Sequence, residues 1–145
     1  MVHVMHIADK DDFMKIKSGE KTVDVRLYDF KRRLVFPSDH IIFKCRDMVN
    51  EEGEEEMAAV FVDSVHVYSC PVDLLMDIST EECGIGKVES PHEGFLKLIK
   101  RHYLFDEGLC IVAFKYTYED DIGDVLERYK EEKKHGNDRV IMDLR

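Results

Sequence analysis

Nine residues, Lys21 to Asp29, constrain the fold of this chain more than any others. Val23, Val25 and Leu27 alternate with Thr22, Asp24, Arg26 and Tyr28. That two-residue period belongs to a strand with one face in a core. The second face presents a hydroxyl, a carboxylate, a guanidinium and a phenol in a row. Such a strand needs a sheet to hold it and a layer to cover its apolar side. With 145 residues there is room for one domain, and 44% hydrophobic residues suffice for its core.

The surrounding segments supply the partners. Residues 2–7 read as a short strand, followed by a helix over 10–17 that Asp9 caps and Gly19 stops. Phe13 and Ile16 lie on one face of that helix. Residues 30–34 read as a basic turn or a single helical turn, and Pro37-Ser38-Asp39 punctuates the chain before a strand over 40–45. An acidic loop at 50–56 leads to a long strand over 57–68. Its apolar register changes between Val62 and Val65, which predicts a bulge near Asp63 and Ser64. A short helix over 72–76 and a loop over 79–89 follow. Ser90-Pro91-His92-Glu93 then opens a helix to Tyr103 through a capping box. Lys97, Lys100, Arg101 and His102 read as that helix's wet side, with extension of a basic rim as the alternative reading. A strand over 109–117, a charged helix over 120–134 ending at Gly136, and a short strand over 139–143 complete the chain.

The formal net charge of -10 is unevenly spread. Residues 51–56 carry five carboxylates, and residues 119–138 carry eight acids against four bases. The rest is near neutral, with seven Lys/Arg against three acids over residues 15–33. One basic segment therefore stands against an acidic loop and an acidic tail, a distribution compatible with an anionic ligand. The four cysteines lack metal-ligand spacing and read as reduced, mostly buried thiols. His3 and His6 fall on opposite faces of their strand, so no metal site is expected, and no cofactor either. No apolar run reaches the roughly 18 residues of a membrane span, and no signal peptide is visible. The expectation is an intracellular monomer, cytoplasmic or nuclear.

The polar face of 21–29 has two readings. In one it is solvated, with Asp24 and Arg26 as a same-face pair. In the other it lines a cleft. Lys21 at the entrance and Arg26 would hold an anion, and Asp24 would accept from a base or sugar. Lys31, Arg32 and Arg33 would contact phosphates, and Tyr28 and Tyr103 would stack on a base. Gly84-Ile85-Gly86-Lys87 lacks the spacing of a phosphate loop.

The order of features closely resembles the ASCH (activating-signal-cointegrator homology) domain over residues 3–118. The residues concerned are the helix with Phe13 and Ile16, Ser18-Gly19-Glu20-Lys21-Thr22-Val23-Asp24-Val25-Arg26, the Lys31-Arg32-Arg33 turn, and Pro37-Ser38-Asp39 before the next strand. In that family the segment commonly reads G-x-K-T-x-E-x-R, with G-D at the following strand. Here the acid is Asp24, one methylene shorter than glutamate, and Ser38 stands where glycine is usual. The resemblance implies an α+β, PUA-like fold. That fold is a small mixed or mostly antiparallel β-barrel with helices around its mouth. Residues 119–145 would form an acidic helical extension outside it.

The resemblance also implies RNA or a nucleotide-like ligand as partner. The expected binding residues are Lys21, Thr22, Asp24, Arg26, Tyr28, Lys31, Arg32, Arg33 and Tyr103. Some bacterial members look like amidohydrolases acting on acylated cytidine, with a threonine proposed as nucleophile beside the motif lysine. Asp24 holds that place here, next to Lys21, and Glu89 is the nearest match to a further acid. A carboxylate does not replace an activated hydroxyl. Binding is therefore the expected function, and hydrolysis of a modified nucleoside the enzymatic alternative. A third reading is a protein-interaction module whose acidic loop and tail take a basic partner.

Overall fold

The computed structural model describes residues 1–102, 104 and 108–135. Five strands, β1 (Val2–Ile7), β2 (Val23–Leu27), β3 (His40–Val49), β4 (Glu55–Tyr68) and β5 (Ile111–Glu119), form one sheet in the order β1-β3-β4-β5-β2. β1 and β3 run parallel, and the other neighbouring pairs are antiparallel. Helices α1 (Lys10–Ser18), α2 (Pro71–Asp77), α3 (Pro91–His102) and α4 (Ile122–Lys134) surround it, with a 3-10 turn at Arg32–Leu34.

Strand faces sort the core into three parts. Phe13 and Ile16 of α1 pack with Met5, Ile7, Phe43, Phe114 and their neighbours on one side of the sheet. Val23, Val25 and Ala113 point the other way and pack with Leu74 of α2 and Leu98 of α3. Ala113 and Phe114 are adjacent in β5 yet belong to different clusters, as alternating faces require. Val125 of α4 covers Val2, Ile42 and Ala59. The tail helix is therefore docked on the sheet that holds the site.

The α+β class is as expected, but the closed barrel is not formed. Among the described residues β1 and β2 are the two edges of the sheet, with no ladder between them. A side chain spans the gap: Arg26 Nη2 on β2 donates to the His6 carbonyl of β1 at 3.2 Å. The β2 positions on this side are Asp24 and Arg26, charged groups that a dry seam could not enclose without partners.

Local chemistry explains the boundaries. The Asp9 carboxylate accepts from the Asp11 N–H at 2.8 Å, and Gly19 ends α1 with φ 82. The pairing of β4 with β5 shifts between Val62 and Ser64, so Asp63 is the expected bulge. The acidic loop is shorter than expected. The Asn50 side chain accepts from the N–H groups of Glu52 and Glu54, which folds a tight turn and lets β3 run to Val49 and β4 start at Glu55. The Asp39 carboxylate accepts from His3 Nε2, the Phe36 N–H and the chain's first ammonium, each at 2.9 Å. All four cysteines are free. Cys45 and Cys83 are buried, whereas Cys110, expected inside, is exposed because it precedes β5 rather than lying in it. The expected strand at 139–143 and the helix end at Gly136 lie outside the described residues. No described helix is long and apolar enough to cross a membrane.

Candidate functional site

Lys21 does not stand at the entrance of a cleft. Its side chain is 0% exposed. Its ammonium donates to Asp12 Oδ2 at 2.8 Å and lies 3.8 Å from Asp24 Oδ1. Asp24 Oδ2 accepts from Arg26 Nε at 2.8 Å, and Arg101 Nη1 lies 3.4 Å from Asp12 Oδ1. Charges of alternating sign thus tie α1, β2 and α3 together. Burial opposes ionisation of Asp24, but Arg26 and then Lys21 outweigh it and hold the carboxyl below its ordinary value.

Gly84 forms the roof over Lys21. It has φ 80, and a Cβ there would stand 2.9 Å from Lys21 Cδ. A backbone this close to a buried lysine stem requires glycine. The Gly84 carbonyl also accepts from Lys15 Nζ at 2.7 Å. These contacts give a structural reason for the glycine at 84; at Gly86 the reason is its left-handed backbone, φ 86, rather than a contact.

Beside this network lies a cleft of about 780 Å³, between the end of β1, β2, the 3-10 turn, β3 and α3. Seven Lys/Arg line it against three aspartates: Arg26, Lys31, Arg32, Arg46, Lys97, Lys100 and Arg101 face Asp9, Asp12 and Asp24. The acids are already engaged by Lys21, Arg26 and Arg101. Arg32 is paired with Asp29 and Lys97 with Glu93, each at 2.8 Å. Lys31, Arg46 and Lys100 form no ion pair among the described residues. Burial, then the like charges of Arg32 and Arg26, push the Lys31 amine below its ordinary value. His102, at the end of α3, is a neutral imidazole. Burial and then Lys21 push it down to about 3, and its Nε2 has no hydrogen-bond partner.

Four of the expected site residues, Asp24, Arg26, Lys31 and Arg32, line this cleft. Lys21 lies beneath it. Thr22 is exposed and outside the lining; its backbone binds the Glu82 carbonyl and the Tyr116 N–H. Tyr28 and Arg33 serve each other, with the guanidinium 4.8 Å from the ring centroid and Nε donating to the Tyr28 carbonyl at 3.3 Å. Glu89 is exposed before α3, where its N–H donates to Glu93 Oε2. It does not line the cleft. Tyr103 lies outside the described residues. Arg46, absent from the sequence-based set, enters because β3 continues four residues past its expected end. Among the described residues no group of three His, Cys, Asp or Glu side chains could hold a metal ion.

The fold has relatives among solved structures. The crystal structure of hypothetical protein PH0355 is similar with a TM-score of 0.64 and 28% identity, over 82% of this chain and 100% of that one. The solution NMR structure of protein PF0455 from Pyrococcus furiosus is similar with a TM-score of 0.54 and 25% identity, over 83% and 99%. Neither name states an activity. No family model matches the chain, and no curated protein does. Nearly the whole of each neighbour is covered, so the sheet and its helices form a complete fold in those proteins.

Proposed function

We propose that the chain is an ASCH-type protein of the PUA-like superfamily whose cleft binds RNA or a nucleotide-like ligand through its phosphates. One observation carries this reading. Lys31, Arg46 and Lys100 come from three separate parts of the chain and line one cleft, and none of them forms an ion pair among the described residues. Converging like charges repel, and an anion between them removes the repulsion. The volume suits a small ligand or a stretch of a single strand. The -10 charge of the chain repels polyanions elsewhere, which directs them to this surface.

The amidohydrolase alternative has less to stand on. Lys21 is enclosed by Gly84 and bound to Asp12, so no substrate reaches its ammonium in this arrangement. Asp24 is 1% exposed and bound by Arg26, which leaves it poorly placed to attack a carbonyl. Residue-resolved chemical shifts with short single-stranded RNAs and nucleoside monophosphates test the proposal. The expected result is perturbation clustered at Lys31, Arg46 and Lys100. Perturbation confined to the apolar groove between α2 and α3, at Val72, Met76 and Phe95, would instead favour an interaction module.

A further inference from the structure

The turn that follows β2 carries an exposed apolar ring one residue before a cation of the cleft. Phe30 is 44% exposed and packs into none of the three core clusters. It directly precedes Lys31, which lines the cleft. A single exposed apolar side chain needs no explanation. The rigidity of its setting is a separate observation. The Asp29 side chain accepts from both the Arg32 N–H at 3.1 Å and the Arg32 guanidinium at 2.8 Å. The Asp29 carbonyl accepts from the Arg33 N–H at 3.1 Å. Arg33 is held in turn on the Tyr28 ring and carbonyl. Below, Leu34 and Val35 are buried. Among the described residues, Phe30 and Lys31 are thus two adjacent side chains of this turn with no hydrogen bond, ion pair or core packing of their own.

An exposed aromatic ring next in sequence to a cleft ammonium that has no ion pair among the described residues matches an unpaired base beside its own phosphate. Base–aromatic stacking joined to backbone charge contacts is how single strands are held without sequence readout. A bare polyphosphate would use the cations and leave the ring in water. A duplex keeps its bases stacked on each other and offers the ring no free face. Adjacent Cα atoms are about 3.8 Å apart, so the two side chains leave the backbone within the span of one nucleotide.

We infer that the ligand of this cleft carries an unpaired nucleobase, which stacks on Phe30 while its phosphates lie along Lys31 and the cleft cations. This rests on the phosphate-binding reading of the same cleft. Phe30 would then set the preference for single-stranded nucleic acid over other polyanions.

The chain contains no tryptophan, so Phe30→Trp installs a single fluorescent reporter at this position. Three proteins, wild type, Phe30→Ala and Phe30→Trp, are titrated with single-stranded oligoadenylate and with tripolyphosphate as a base-free comparator. The expected result has two parts. Phe30→Ala binds oligoadenylate about tenfold more weakly and tripolyphosphate unchanged. Phe30→Trp restores oligoadenylate affinity, and its emission is quenched by oligoadenylate but not by tripolyphosphate. If both probes bind wild type and Phe30→Ala binds each as wild type does, the stacking inference is overturned and the phosphate cleft stands. Failure of both probes to bind wild type overturns the cleft reading and this inference together.

Discussion

At the scale of single residues, Lys21 is buried rather than at the entrance of the cleft that Asp24 lines. Lys21 neutralises Asp12 and Asp24 inside the protein. Lys21→Met should therefore destabilise the fold by about 3–5 kcal/mol, because it leaves two carboxylates buried without their shared cation. Urea unfolding measures this; a loss below about 1 kcal/mol would mean the network is not what holds α1 to β2. Alternation shows that Asp24 faces away from Val23 and Val25. It does not show that Lys21 is enclosed, because the backbone that covers Lys21 comes from Gly84, far along the chain. Ser38 is a second such residue. It has φ 75, in the left-handed region, and its N–H is fixed on the Val62 carbonyl at 2.8 Å. The glycine that the resemblance predicts here would relieve the Cβ strain at some cost in unfolded-state entropy. Ser38→Gly should raise stability by up to about 1 kcal/mol, seen as a higher urea midpoint.

At the scale of elements, the strands and the start of α3 are legible because their causes are local. A two-residue period, a bulge at Asp63 and a Ser-Pro helix start can each be seen within ten residues. In the structure Ser90 Oγ accepts from the Glu93 N–H, while Glu93 reaches back one residue further than the box predicts, to the Glu89 N–H. The end of α3 carries a second consequence. His102 lies among Lys21, Arg26 and Arg101 and is held neutral down to about pH 3, against an ordinary value of 6.5. The unfolded chain takes up that proton near 6.5 and the folded chain does not, so stability falls as pH drops from 7 towards 3. His40 is lowered too and adds to the same slope, with burial and then Arg128 as its causes. The depressed carboxyls act later. Asp24 and Asp39 contribute fully above their ordinary value of 3.8 and lose that contribution as pH falls below it. Urea midpoints from pH 8 to 3 should decline in two stages, and His102→Gln should make the first stage shallower. A flat midpoint between pH 7 and 4.5 would contradict a depressed pKa at His102.

At the scale of the whole molecule, function depends on what the topology collects. Lys31 precedes the 3-10 turn, Arg46 is on β3 and Lys100 on α3. The order β1-β3-β4-β5-β2 leaves β1 and β2 as edges that approach without pairing, and the cations line the opening between them. No local pattern predicts that meeting, which is why Arg46 escapes sequence reasoning while Lys31 and Arg32, next to the most legible strand, do not. Arg26 alone crosses the opening among the described contacts. In the proposed function, the cations of this opening that form no ion pair among the described residues hold phosphates. The direct measurement is the affinity for a single-stranded oligoribonucleotide from low to high salt, for wild type and for the Lys31→Ala/Arg46→Ala/Lys100→Ala variant. Each lost phosphate contact flattens the plot of log affinity against log salt by about 0.7, so the variant should bind more weakly with a slope shallower by about 2. A variant whose affinity and slope match those of wild type would contradict the claim.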